Sequence, residues 1–232
     1  MSTHIKVNEL CYVCNRKSDF YVLGSSNTFG SSDLDLRPAP MMRNTMAWWI
    51  QECPFCGYVS NSVSDITSVD EEWLLSEEFK RYEQKNFLSK LAEKFYRAYL
   101  ISSKDDNKKN MYYNAIHAAW VCDDCGDVNN AIFCRKLAIK AIKKIQPYKE
   151  DYDVIRADLL RRSCQFEKLI KEYSDKVFTT DLLNKIIQFQ ILKAKEKDVG
   201  CYKVSDVIEW WSIVWVINEK KVKLWRRYIV IK

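Results

Sequence analysis

Glycine and proline are scarce in this 232-residue chain, at 5 and 4, which disfavours collagen-like, low-complexity and glycine-loop architectures and favours long helices. Histidine is scarcer, with only His4 and His117, so Ser/His and Cys/His acyl chemistry lack a base near any nucleophile. No run of about 18 uncharged apolar residues occurs. Met1 to Asn8 is polar, without the apolar core of a secretory leader, which predicts a cytoplasmic protein with no membrane partner. The nine cysteines are then expected to be thiols or metal ligands, because a reducing compartment does not sustain structural disulfides.

What remains is globular: 47% of the residues are hydrophobic and 29% charged, enough for a real core. The net charge of +6 is local. Residues 1–60 balance five Lys/Arg against five Asp/Glu, whereas 201–232 hold seven against three. A nucleic-acid surface needs a more continuous basic face than this.

Composition divides the chain into three expected parts: a Cys/Ser/Gly/Pro-rich segment at 1–66, a Lys/Glu/Leu/Ala-rich segment at 72–198, and a Trp-rich basic tail at 199–232. In the middle part Phe87, Leu91, Phe95 and Ala98 recur at helical spacing. So do Met111, Ala115, Ala118 and Cys122, then Ala131, Cys134, Ala138, Ala141 and Ile145 up to Pro147, then Ile155, Leu159 and Leu160, and finally Leu182, Ile186, Phe189 and Leu192. These patterns predict amphipathic helices joined by short turns. Gly126 and Cys164 head similar turns 38 residues apart, which resembles the tetratricopeptide helix–turn–helix pattern. The Trp210–Ile217 and Val222–Lys232 runs around a polar turn predict a C-terminal β-hairpin.

Chemistry concentrates in two CxxC pairs, Cys11/Cys14 and Cys53/Cys56, the second in the form Cys-Pro-Phe-Cys-Gly. Such knuckles bring sulfurs together while Gly57 supplies the positive φ of a tight turn. Four thiolates give a closed structural zinc site of the ribbon type, one ion with no open position for hydrolysis. The spacing, 38 residues between Cys14 and Cys53, implies an insertion: a strand at Phe20–Leu23, an extended loop from Gly24 to Pro40 and a strand at Met46–Gln51. A thioredoxin-like dithiol would need only one CxxC, at a helix N-terminus.

Within the insertion, Asp33 and Asp35 alternate with leucines, which places both carboxylates on one side of an extended segment where Arg37 can clamp them. The pair reads as a brace for the loop, or as a functional site for acid–base work or a hard cation. Cys122 and Cys125 also form a CxxC, but they end a helical stretch with only Cys134 and His117 as further ligands, so they read as helix-packing cysteines. Asp123 and Asp124 at that helix end oppose the macrodipole and call for a partner such as Arg135 or Arg97.

The Cys11/Cys14 pair, Asp33-Leu-Asp35-Leu-Arg37-Pro38, Trp49-Ile-Gln-Glu-Cys53-Pro-Phe-Cys56-Gly57-Tyr58, Ala118-Ala-Trp120-Val-Cys-Asp123-Asp124 and Asp158-Leu-Leu-Arg-Arg162-Ser-Cys-Gln-Phe166 together resemble an uncharacterised bacterial family, domain-of-unknown-function family 2225. The resemblance spans about residues 9–198. It implies a zinc-binding N-terminus followed by tetratricopeptide-like helices in a cytoplasmic protein, with no activity to carry over. The expected fold is therefore mostly α: a four-cysteine zinc-ribbon-like β part, then antiparallel helical hairpins. The expected role is a non-enzymatic adaptor for a protein or peptide partner. The alternatives are a nucleic-acid-associated zinc ribbon using Arg37, Arg43 and the tail, and a metal-assisted hydrolase using Asp33 and Asp35.

Overall fold

The computed structural model describes residues 2–212. β1 (Thr3–Leu10) and β2 (Lys17–Ser25) pair antiparallel, with Val7 opposite Phe20 and Ile5 opposite Val22. β3 (Gln51–Glu52) and β4 (Val59–Ser60) make a second, smaller hairpin. The strand expected at Phe20–Leu23 thus lies inside β2. The one expected at Met46–Gln51 is corrected: Met42–Trp48 is a 3-10 helix, and only Gln51 of that span is extended. Side chains hold this turn closed, since Thr45 Oγ1 donates to the Met42 carbonyl at 2.7 Å and Trp49 Nε1 donates to Thr45 Oγ1 at 2.8 Å.

After the short helices α1 (Glu71–Leu75) and α2 (Glu77–Lys80) and a 3-10 turn at Arg81–Lys85 come five more substantial helices and one of eight residues. They are α3 (Lys90–Lys104), α4 (Lys108–Asp124), α5 (Val128–Ile142), α6 (Glu150–Arg162), α7 (Phe166–Tyr173) and α8 (Asp181–Lys195). The apolar periodicities fall on these helices, with two shifts at their ends. Phe87 precedes α3, which starts after the Ser89 cap, and α5 stops at Ile142, before Pro147 is reached. From α3 to α6 each helix packs on the next, and α8 returns against both α6 and α7.

Three of the connections have only three residues and share one geometry. Asp106, Gly126 and Cys164 each take positive φ, at 56°, 74° and 60°. The next N–H in each turn donates five residues back: Asn107 to Ser102, Asp127 to Cys122 and Gln165 to Leu160, at 2.8 to 2.9 Å. This left-handed C-terminal motif satisfies carbonyls that a helix end leaves open. The same turn residues then cap the following helix where chemistry allows, as Asn107 does for Asn110 N–H and Asp127 for Asn130 N–H. The correspondence of Gly126 and Cys164 is therefore geometric as well as sequential, and Asp106 extends it.

Small side chains let the helices approach closely. Ala115, Ala118 and Ala119 of α4 and Ala131, Ala138 and Ala141 of α5 are all buried, and α4 and α5 pack against each other; removing such apolar area from water is the main stabilising term. The core is one contiguous cluster that runs from Cys11, Leu34 and Tyr58 through the helices to Val207. Arg161 lies inside it, fully buried, with its guanidinium donating to Asp158, Gln190 and the carbonyls of Asp198 and Gly200.

Residues 204–212 are helical, so the expected strand at Trp210 is corrected. Trp210 meets Phe189 edge-on at 5.7 Å, and Trp211 Nε1 donates to the Lys185 carbonyl. The rest of the expected hairpin, with Trp215 and Trp225, lies outside the described residues. Among the described residues no helix is long and apolar enough to cross a membrane.

His117 is partly buried on α4 among Trp49, Phe95, Tyr113 and Trp120. Burial, aided by the Arg37 charge, brings its pKa down to about 3. The unfolded chain therefore takes up a proton between the ordinary value near 6.5 and about 3 that the folded chain refuses, so this group's penalty is absent above that window and grows as pH falls. His117→Phe is expected to remove an acid-induced loss of about 2 kcal/mol at pH 5, measured as the difference in urea-unfolding stability between variant and parent at pH 7 and pH 5.

Candidate metal centre and its anchoring loop

Each CxxC pair is the turn of one hairpin, and the two turns are built alike. In the first, Cys11 N–H donates to the Arg16 carbonyl at 3.0 Å and Asn15 N–H donates back to Cys11 at 2.9 Å. In the second, Cys53 N–H donates to Tyr58 at 2.8 Å and Gly57 N–H to Cys53 at 3.0 Å. Asn15 and Gly57 occupy matching positions with φ of 54° and 75°, so the positive φ foreseen for Gly57 is present and has a counterpart at Asn15. Asparagine is among the few residues that take this conformation readily.

The turns face one another. The Sγ atoms of Cys11, Cys14, Cys53 and Cys56 all lie within 4.8 Å of one another, with Cys11 to Cys56 at 3.7 Å and Cys14 to Cys53 at 3.6 Å. A tetrahedron of sulfurs around an ion at about 2.3 Å has edges of about 3.8 Å, so the set can hold one metal ion, and the spacing is far too long for a disulfide. Burial pushes the thiols of Cys11 and Cys56 up. At Cys14 burial is outweighed by hydrogen bonds from Arg16 and the neighbouring thiols, which bring it down to about 7. A cation at the centre would favour the thiolate form of all four.

Contacts around the cluster fix its shape. Arg16 lies over the Phe55 ring at 4.6 Å and so links the two turns. Buried Gln51 donates to Glu9 of β1 and accepts from Val63 N–H, and Tyr12 N–H donates to the Val63 carbonyl. From α3, Arg97 donates to Glu52 at 2.5 Å and to the Gly57 carbonyl at 2.7 Å. One guanidinium thereby joins the helical layer to the residues flanking Cys53 and Cys56.

The insertion carries the other predicted residues. Its Asp33–Arg37 segment is a turn, with Asp33 N–H donating to Arg37 and Leu36 N–H to Asp33; the extended alternation expected there is corrected. Asp33, Asp35 and Arg37 are all buried, yet Arg37 does not clamp the two acids with its side chain. Its guanidinium donates to Asp124 at 2.5 Å, and only its backbone N–H reaches Asp35. Arg43 takes Asp33 at 2.6 Å, while Trp120 Nε1 and Arg162 take Asp35 at 2.8 and 3.1 Å. Asp123 accepts from Arg135, as expected, and also from Arg162; Arg97, the other expected partner, is engaged at Glu52.

Both candidate acids are thus held by arginines, and the loop is braced onto α4 and α6. Burial, together with the Asp158 charge, pushes the Asp35 carboxyl up against the opposing pull of Arg162, Arg135 and the Trp120 N–H. Cys122 and Cys134 are buried between α4 and α5 and Cys125 is exposed; none joins a metal-ligand group among the described residues. Trp120 and Arg162 were not legible as partners of the loop, because nothing local announces a contact across 85 or 127 residues, and Arg43, only ten residues from Asp33, was not singled out as its partner.

Compared with family models, curated proteins and solved structures, the chain has no match. Arg97→Ala would leave the Gly57 carbonyl without its side-chain donor and Glu52 with Lys94 alone, at 3.4 Å. It is expected to weaken metal retention by roughly tenfold or more, read from the rate of transfer of metal to a chromogenic chelator, with the helical circular dichroism unchanged.

Proposed function

We propose that the chain is a cytoplasmic adaptor of the kind its motifs resemble, domain-of-unknown-function family 2225. One structural zinc ion closes the N-terminal ribbon, and tetratricopeptide-like hairpins present a surface to a protein or peptide. The observation that carries this reading is the four-sulfur cluster, whose edges match a tetrahedral thiolate shell. Four thiolates leave an ion no open coordination position, so its contribution is to hold the fold. Zinc suits an all-sulfur tetrahedron at a site built by two knuckles.

The state of the remaining titratable groups supports binding over catalysis. Asp33 and Asp35 are consumed by Arg43, Arg162 and Trp120, and a hard cation would have to displace guanidinium groups to reach them. His117 is partly buried among aromatic rings, and its lowered pKa keeps it neutral near pH 7. Stacked helical hairpins, in contrast, offer extended surfaces of the type that take peptides.

Elemental analysis of the purified chain is expected to give one zinc per molecule. Crosslinking in the native host, followed by pull-down, is expected to give a defined protein partner whose capture survives Asp33→Asn. Absence of metal, or a hydrolytic activity abolished by Asp33→Asn, would overturn the reading.

A further inference from the structure

Away from the metal centre, a groove of about 690 Å³ runs between the start of α7 and the end of α8. Phe166, Ile170 and Ala194 form its apolar floor, and Lys168, Lys195 and Lys197 stand along its rim. Cys164, at the turn before α7, also lines a second cavity of about 240 Å³, where Val128, Ile132 and Val199 supply apolar walls. The two recesses therefore meet at one residue and continue across the end of the helical hairpins.

The rim is electrically unsatisfied. Other lysines of α8 have partners, Lys185 with Asp181 and Lys193 with Glu196. Lys168, Lys195 and Lys197 are exposed and pair with no carboxylate among the described residues. Glu167 is the one acidic side chain in the lining. Three cations against one anion, set around an apolar floor, are complementary to a ligand that carries carboxylates on either side of an apolar group.

We propose that this groove docks an extended acidic segment of a partner protein. An apolar side chain of the segment rests on Phe166, Ile170 and Ala194, and flanking Asp or Glu residues face Lys168, Lys195 and Lys197. The proposal rests on the peptide-binding reading above and gives it a place and a ligand chemistry. Residues 213–232 of the chain carry six Lys/Arg against one Glu, so like charge opposes them as occupant. Nucleic acid fits less well, because the lining offers one aromatic ring where successive bases need several to stack on.

The test uses the full metal-loaded chain and a short fluorescent peptide of alternating glutamate and leucine. Polarisation is expected to show binding that weakens with salt and is lost when lysine replaces glutamate or serine replaces leucine. Combined Lys168→Glu, Lys195→Glu and Lys197→Glu is expected to raise the Kd at least about tenfold without shifting Tm, since all three side chains are exposed. No binding of the peptide, affinity unchanged by the triple reversal, or preference for a short oligothymidine would overturn the proposal. If the crosslinked native partner is still captured by the triple variant, the adaptor reading stands and this groove is not its site.

Discussion

Two hairpin turns, separated by 38 residues of sequence between Cys14 and Cys53, meet through four sulfurs, and the geometry of the opening segment follows from that meeting. The strands around them are short or exposed: β3 and β4 have two residues each, and β1 is largely solvent-facing. Isolated two-stranded hairpins are marginal in water. An ion held by one pair of sulfurs from each turn would supply the long-range closure that so little sheet cannot, and its binding would then be part of the folding free energy.

The closure reaches the helices by two routes of different character. Arg97 grips Glu52 and the Gly57 carbonyl, the residues beside Cys53 and Cys56. The insertion grips α4 and α6 through Arg37 with Asp124, Trp120 with Asp35, and Arg162 shared between Asp35 and Asp123. Buried ion pairs of this kind add little net stability compared with apolar packing, because desolvation offsets much of their attraction. Their effect is to allow one register of the loop and to make any other costly, since a slipped loop would strand several buried charges.

The four-cysteine cluster was readable because a CxxC turn is a local object whose hydrogen bonds and positive φ lie within six residues. The helices were readable for the same reason, from apolar spacing at Phe95, Ala118, Ala138 and Leu159. The Gly126 and Cys164 turns could be matched although cysteine stands where the left-handed conformation favours glycine. What sequence misplaced depends on distant partners. Arg37 turned away from the neighbouring acids toward Asp124, an exposed carboxylate at the end of α4, and Trp210 took a helix because Phe189 packs against it. The 3-10 turn at Met42–Trp48 replaced a strand through the Thr45 and Trp49 side chains, a choice that apolar alternation does not record.

The central claim is that Cys11, Cys14, Cys53 and Cys56 jointly bind a single ion. X-ray absorption at the metal edge of the purified chain tests it most directly. The account predicts a shell of four sulfurs at about 2.3 Å with no nitrogen or oxygen neighbours. A mixed shell containing nitrogen or oxygen donors, or a pair of short sulfur–sulfur bonds with no metal, would contradict it.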